Sequence, residues 1–186
     1  MLFYLAMIED SSDQSKFEEL YMTYKKTMFY VANNILRDTY LAEDAVHQAF
    51  IRIIENLDKI NPTDCHKTRS FIVILMKNVA IDIYRKRKQE NVNSYHDMEF
   101  IINEMAATKE FEEEVENEII TTIASLPFNY SSVLMLKYSQ GYSDSEISKI
   151  LSISESNVRQ RIVRAKKMLK SILNKKEVEE KEDANN

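Results

Sequence analysis

The chain has 186 residues, of which 30% are charged, and its formal net charge at pH 7 is −5. Its one glycine and two prolines exclude an all-β fold, which needs frequent turn residues, and one glycine is too few for a P-loop or a dinucleotide-binding fingerprint. The single cysteine excludes a disulfide framework and a cysteine-based zinc site, and the three histidines are not spaced as metal ligands. We therefore expect an all-α protein that is not an enzyme, with no catalytic residues, metal site or cofactor.

The chain begins with a short apolar segment, MLFYLAMIED. This segment is too short to span a membrane, and no positive charge precedes it as in a signal peptide. We predict an N-terminal extension at residues 1–15 whose first turn is frayed or weakly docked. We also expect a cytoplasmic protein without a membrane partner.

Three predicted helices make up a first domain, which we place at residues 16–90. Apolar residues at helical spacing predict the first helix near residues 16–36 and the second near residues 41–57. A third helix is predicted from residue 68 to about residue 89, and its first half is apolar nearly all round, which is typical of a central core helix. Its second half ends in a basic run, Arg85-Lys86-Arg87-Lys88.

The charge of the chain changes abruptly after this basic run. Residues 91–125 carry nine acidic residues and one lysine, a net charge of −8. We place an acidic linker at residues 91–107 and a second helical domain at residues 108–173, and one continuous domain with an acidic face is the alternative. We expect residues 174–186 to form a disordered tail, because they are charged and poor in apolar residues.

The second domain contains the pattern of a helix-turn-helix. Ser143 and Glu146 form a capping box at the start of a short helix, and Ser154 is placed to cap a longer helix after a tight turn. At helical spacing, the longer helix has an apolar face made of Val158, Ile162, Ala165, Leu169 and Ile172. The opposite face is polar and basic, and consists of Ser156, Arg159, Gln160, Val163, Arg164 and Lys167.

The charge of the longer helix favours a DNA-binding role. Residues 154–170 carry six basic residues and one acidic residue, a net charge of +5 in a chain whose total is −5. A basic patch on an acidic background is expected of a phosphate-binding surface, and the second helix of a helix-turn-helix enters the major groove. The alternative is an ordinary helical hairpin with a solvated basic face.

Both halves of the chain resemble one family, the sigma factors of bacterial RNA polymerase, in their extracytoplasmic-function (ECF) type within the sigma-70 family. The C-terminal half is similar to the family's second promoter-binding domain in its Leu126-Pro127 start, Tyr138-x-x-Gly141, Glu146-Ile147, Ile153-Ser154, Val158 and Arg164-Ala165. The N-terminal half resembles the polymerase-binding domain in Ala42-Glu43-Asp44 with Phe50 behind it, and in Lys77-Asn78-Val79-Ala80-Ile81-Asp82 before the basic run.

The resemblance implies a function in promoter-specific transcription initiation. Residues 16–90 correspond to the sigma region 2 domain, which binds core polymerase and opens the −10 element, and residues 108–173 to the region 4 domain, which reads the −35 element. The implied partners are core RNA polymerase and promoter DNA, and an anti-sigma factor is left open.

The resemblance also assigns residues to three contact sets. The set for the −35 element is Ser156, Asn157, Arg159, Gln160, Val163, Arg164 and Lys167. The set for the −10 element is Lys67, Phe71, Lys77, Asn78, Asp82, Arg85, Lys86 and Lys88. The set for polymerase is Glu43, Asp44, His47, Gln48, Phe50 and Arg52. The chain departs from the usual family pattern at His47, where glutamine is common, and at Ser152, where glycine is common.

Two other function classes compete with this interpretation. A helix-turn-helix transcription regulator with an N-terminal sensing or dimerisation domain would need no second basic patch, yet Arg85–Lys88 form one. A helical adaptor with incidental charge would leave the capping box and the basic outer face of the longer helix unexplained.

Overall fold

A computed structural model of the chain describes residues 1–60, 65–90 and 118–183, and the regular structure in these ranges is helical. The chain divides into two compact units, Met1–His96 and Asp97–Asn186. The prediction of an all-α protein with two helical domains is therefore confirmed.

The first unit is built on three long helices that pack against one another in pairs. Its helices are α1 Leu2–Leu5, α2 Ser11–Leu36, α3 Thr39–Ile54 and α4 Cys65–Glu90, with a 3-10 turn at Leu57–Lys59. The largest fully buried rings are Phe17, Phe50 and Phe71, contributed by α2, α3 and α4 in turn. Because full burial of one such side chain stabilises by roughly 1.5–3 kcal/mol, this shared core holds the three helices together.

Side-chain caps set the starts of α2 and α3. The carboxylate of Asp10 accepts from the backbone N–H of Ser12 at 2.8 Å, and that of Asp38 accepts from the backbone N–H of Tyr40 at 3.1 Å. Each cap satisfies a donor that has no partner inside the helix. The predicted helices near residues 16–36 and 41–57 are thus confirmed, with starts at Ser11 and Thr39.

The N-terminal segment differs from its prediction. Tyr4 and Ile8 are buried, and α2 already begins at Ser11. The expectation of a frayed or weakly docked first turn is wrong, because the apolar side chains of this segment pack against α2 and α3. The extension ahead of the first long helix consequently ends at its cap, Asp10, and not at residue 15.

The second unit consists of short helices packed on one long helix. Its helices are α5 Glu118–Ala124, α6 Phe128–Leu134, α7 Asp144–Ile150 and α8 Glu155–Asp183, with a π-helical segment at Met135–Ser139 after α6. α5, α6 and α7 each contact α8. The core between them contains Leu126, Leu134 and Leu136, all fully buried.

The end of α8 also differs from its prediction. The helix continues through residues 174–183, where we expect a disordered tail. Extension of an existing helix needs no new nucleus, and lysine and glutamate are good helix formers, so this segment can stay helical without a core of its own. Residues 184–186, the predicted linker at 91–107 and residues 108–117 at the start of the predicted second domain lie outside the described residues. Among the described residues, no helix combines the length and apolar character needed to cross a membrane.

Candidate functional site

The helix-turn-helix is held together by two short-range caps. The hydroxyl of Ser143 accepts from the backbone N–H of Glu146 at 3.3 Å, while the Glu146 carboxylate accepts from the backbone N–H of Ser143 at 2.7 Å. The hydroxyl of Ser154 accepts from the backbone N–H of Asn157 at 3.2 Å and so caps α8. Between the two helices Ser152 adopts a left-handed backbone with φ 51°, a conformation that glycine adopts without steric cost. The predicted capping box, tight turn and second cap are confirmed.

The polar face of α8 is exposed as predicted. Val158, Ile162 and Ala165 are buried against the rest of the unit. The side chains that are exposed on the opposite face are Ser156, Arg159, Gln160, Val163, Arg164 and Lys167. Val163 is 67% exposed, which leaves an apolar side chain among these polar ones. Such a strip presents hydrogen-bond donors together with one surface suited to a thymine methyl group.

Asn157 belongs to the predicted −35 set but lies at the edge of this strip. It is half-buried, and its side-chain oxygen accepts from Nε of Arg161 at 2.9 Å. Arg159 lies 3.4 Å from the carboxylate of Glu155 one turn earlier, and both side chains are largely exposed. Because exposed ion pairs contribute little to stability, Arg159 can exchange its contact with Glu155 for a contact with DNA at a small cost in free energy.

The π-helical segment before the helix-turn-helix is tied to both of its helices. Lys137 forms an ion pair with Asp144 of α7 at 2.8 Å, and Lys166 of α8 lies 5.0 Å above the ring of Tyr138. Gly141 turns the chain towards α7 with φ 78°, where a side chain would be strained. These links orient the short helix relative to the long one.

The candidate −10 set falls into two groups. Lys67, Arg85 and Lys86 are exposed, and Asp82 and Lys88 are half-buried. Phe71 is only 2% exposed, and Lys77 and Asn78 are also buried, with the Asn78 amide donating to the carbonyl of Ile74 at 2.9 Å. We therefore remove Phe71, Lys77 and Asn78 from the DNA-contact set. They are buried on α4, which packs against both α2 and α3, so their side chains belong to the core.

One residue of the basic run has a structural role. Arg87 donates to Asp38 at 3.1 Å, and Asp38 is the cap of α3. This link joins the basic end of α4 to the start of α3. Arg85, Lys86 and Lys88 remain as the cations of this end that can face a phosphate backbone.

The candidate polymerase set is mostly a surface of α3. Glu43, Asp44 and His47 are exposed, Gln48 and Arg52 are half-buried, and Gln48 donates to Asp44 at 2.8 Å. Phe50 is the exception, because it is 0% exposed. Its assignment as a contact residue is wrong: the Phe50 ring lies in the core, 4.8 Å from the ring of Tyr21 and 5.7 Å from that of Phe17.

The sequence interpretation missed the contact between Tyr4 and His47. The Tyr4 hydroxyl lies 2.7 Å from Nδ1 of His47. Burial raises the pKa of the Tyr4 phenol above its ordinary value, with a smaller contribution from Tyr21. The hydroxyl can donate to Nδ1 or accept from Nδ1–H, depending on which imidazole nitrogen carries the proton. The only sequence signal was an aromatic residue in an apolar N-terminal segment.

In the parts of the chain that the structure describes, no group of three or more histidine, cysteine, aspartate or glutamate side chains could hold a metal ion. The surfaces instead offer hydrogen-bond donors, cations and apolar area, which serve binding.

The chain is similar to known sigma factors over most of its length. Residues 20–90 match the family model described as Sigma-70 region 2, and residues 116–169 match the one described as Sigma-70, region 4. The ECF RNA polymerase sigma factor SigM of Bacillus subtilis (strain 168) is 26% identical over 158 residues, which cover 85% of this chain and 95% of that protein. The ECF RNA polymerase sigma factor SigW of the same organism is 29% identical over 174 residues, which cover 87% of this chain and 90% of that protein.

Among solved structures, that of CnrH in complex with the cytosolic domain of CnrY is 20% identical and covers 85% of this chain and 87% of the matched chain, with a TM-score of 0.34. At that TM-score the likeness supports no inference about this chain.

Proposed function

The chain belongs to the ECF type of the sigma-70 family of RNA polymerase sigma factors, and we propose how its region 2 and region 4 domains divide promoter recognition between them. It is a sigma factor for transcription initiation and not an enzyme. The match of residues 20–90 to region 2 removes the alternative of a regulator with an N-terminal sensing domain.

The region 4 domain is proposed to read the −35 element through α8. The observation that carries this proposal is the continuous exposed strip of Ser156, Arg159, Gln160, Val163, Arg164 and Lys167 on a helix that is capped and held by its partner helix. Helix-turn-helix proteins present the N-terminal part of this second helix to base edges. Asn157 is proposed to act at the edge of the strip, where it already contacts Arg161.

The region 2 domain is proposed to hold the opened −10 element at the basic end of α4. Arg85 and Lys86 are exposed there, and Lys88 and Asp82 are half-buried, whereas Lys67 is exposed near the opposite end of the helix. Cations along one surface suit the backbone of a single strand, and their contribution should fall as salt rises.

Run-off transcription is the direct test of the proposed function. The protein should copurify with core RNA polymerase, and the two together should start transcripts at a defined promoter that core polymerase alone does not use. A protein that binds promoter DNA but neither binds core polymerase nor supports run-off transcription would overturn the proposal.

The α3 surface of Glu43, Asp44, His47, Gln48 and Arg52 is proposed to bind core polymerase. Its mixed charge distinguishes it from the two basic DNA-binding surfaces. Asp44→Lys is expected to weaken binding to core polymerase by at least about tenfold, because a reversed charge at an interface opposes its partner. The free energy of unfolding should change by no more than about 0.5 kcal/mol, since Asp44 is exposed.

Asp58→Lys is the matched control for Asp44→Lys. Asp58 is also exposed, undergoes the same charge change, and lies in the 3-10 turn beyond the end of α3. Equal affinities of the Asp44→Lys and wild-type proteins for core polymerase, measured without DNA, would rule out the assignment of this surface.

Residues 91–107 are proposed to link the two domains as a tether. The support is the change from the basic run at the end of α4 to a net charge of −8 over residues 91–125. Limited proteolysis should cleave within 91–107 first and release two folded halves. First cleavage inside α2 or α8, with 91–107 resistant, would contradict the proposed domain boundaries.

We further propose that the protein acts in the cytoplasm, together with core polymerase and promoter DNA. The family resemblance alone supports an anti-sigma factor as a partner that would mask one of the surfaces described above.

A further inference from the structure

The N-terminal helix α1 is held firmly on the region 2 domain. The side-chain amide of Gln14 in α2 donates to the carbonyl of Ile8 at 2.8 Å and to that of Leu5 at 3.3 Å. These bonds satisfy backbone acceptors at and just after the end of α1. The ring of Tyr4 lies 5.4 Å from that of Phe17 and 5.6 Å from that of Phe50, so it enters the aromatic part of the core.

The other side of α1 carries apolar side chains that face solvent. Leu2 is 85% exposed and Phe3 61% exposed, and Met1 and Met7 are also exposed. This apolar patch (Met1, Leu2, Phe3 and Met7) is unlike the buried side of the same helix. An exposed cluster of large apolar side chains on a rigidly held element is typical of a binding surface.

The apolar patch continues into the α3 surface proposed to bind polymerase. The ring of Phe3 lies 5.6 Å from the ring of His47, and Tyr4 contacts the same imidazole through its hydroxyl. A cleft of about 500 Å³ opens beside them, and its lining includes Tyr4, Tyr21 and Phe29 together with Glu43, Val46 and His47 of α3. Apolar side chains, a cleft and the charged residues of α3 therefore lie side by side.

We propose that α1 is part of the polymerase-binding surface, with the apolar patch as the centre of the contact and the charged residues of α3 as its rim. The proposal rests on the proposed polymerase-binding role of α3. Protein interfaces have this composition, because aromatic and methionine side chains are enriched at their centres and charged side chains lie around them. The occupant we infer is core RNA polymerase, since the patch is continuous with the α3 surface, whose mixed charge differs from that of the two basic surfaces proposed to bind DNA.

Tyr4 has a positioning role in this proposal. Its ring anchors α1 in the core, and its hydroxyl holds the imidazole of His47 beside α1 through the contact with Nδ1.

The test replaces exposed side chains of the apolar patch and leaves Tyr4, whose ring anchors α1 in the core, unchanged. Leu2→Ser combined with Phe3→Ser, in the full-length protein, is expected to weaken binding to core polymerase about 10- to 30-fold, which reaches the lower limit of an interface hot spot. Both side chains are exposed, so thermal unfolding should stay unchanged. Tyr30→Ser is the matched control, because Tyr30 is 60% exposed and lies about 180° around α2 from Tyr21. The control should bind as the wild type does.

The same assay separates this inference from the proposed function. If Asp44→Lys weakens binding and the Leu2/Phe3 double variant binds normally, α1 is not part of the interface and the inference is overturned while the role of α3 stands. If both variants bind normally, the role of α3 and the inference fall together. Sedimentation of the protein alone tests whether the patch instead binds a second copy of this chain. Self-association that the double variant abolishes, with polymerase binding unchanged, would show that it does and would overturn the inference.

Discussion

Phe50→Ala is expected to lower the free energy of unfolding of the region 2 domain by about 3–5 kcal/mol, the usual cost of removing a fully buried phenylalanine. Phe50 is 0% exposed and contacts three rings from two other helices. Between ring centroids it lies 5.6 Å from Tyr4 of α1, and 5.7 Å and 4.8 Å from Phe17 and Tyr21 of α2. The cavity left by alanine would remove all of these contacts at once. Because small domains have a total stability of about 5–15 kcal/mol, much of this domain's stability would be lost.

Amide hydrogen exchange measured by mass spectrometry suits this prediction, since it reports the two domains separately. Exchange should accelerate in α2, α3 and α4 of the Phe50→Ala variant and remain unchanged in α7 and α8. Tyr30→Ala is the control for loss of an aromatic ring, because Tyr30 is exposed and its replacement should cost no more than about 0.5 kcal/mol. A Phe50→Ala variant with wild-type exchange but weakened polymerase binding would return Phe50 to the contact set.

Arg159→Ala is expected to relax the preference for bases at one or two positions of the −35 element. Arg159 lies in the first turns of α8, on its exposed face, where an arginine can make a bidentate contact to guanine. Such a contact contributes roughly 1–3 kcal/mol of discrimination against the wrong base. The ion pair with Glu155 spans 3.4 Å between largely exposed groups, so its loss should leave stability nearly unchanged.

Lys167→Ala is the matched comparison, since Lys167 lies on the same exposed face about two turns further along α8. Contacts to the DNA backbone are expected there, so this variant should weaken binding to all sequences alike. The slope of log affinity against log salt concentration should fall by about one, the amount expected for one lost phosphate contact. The measurement is transcription by the holoenzyme from a library of −35 elements at two salt concentrations. An Arg159→Ala variant that lowers every sequence equally and keeps their ranking would show that α8 does not lie in the groove as proposed.

The features that the sequence determined by itself are the local ones. The capping box joins residues three positions apart, and the apolar stripe of α8 repeats within one helix, so both could be recognised without knowledge of the rest of the fold. The exposed face of α8 followed from the same repeat, because a helix that buries Val158, Ile162 and Ala165 must turn Arg159 and Val163 outward.

Tertiary structure decided the features that depend on contacts between distant parts of the chain. The first half of α4 is apolar nearly all round, so its sequence has no polar face to show which side chains reach solvent, and only packing by α2 and α3 buries Phe71, Lys77 and Asn78. The link between Arg87 and Asp38 spans 49 positions, and that between Tyr4 and His47 spans 43. Periodicity reports which residues share a face of one helix, whereas the neighbour that covers this face is chosen by the packing of all the helices together.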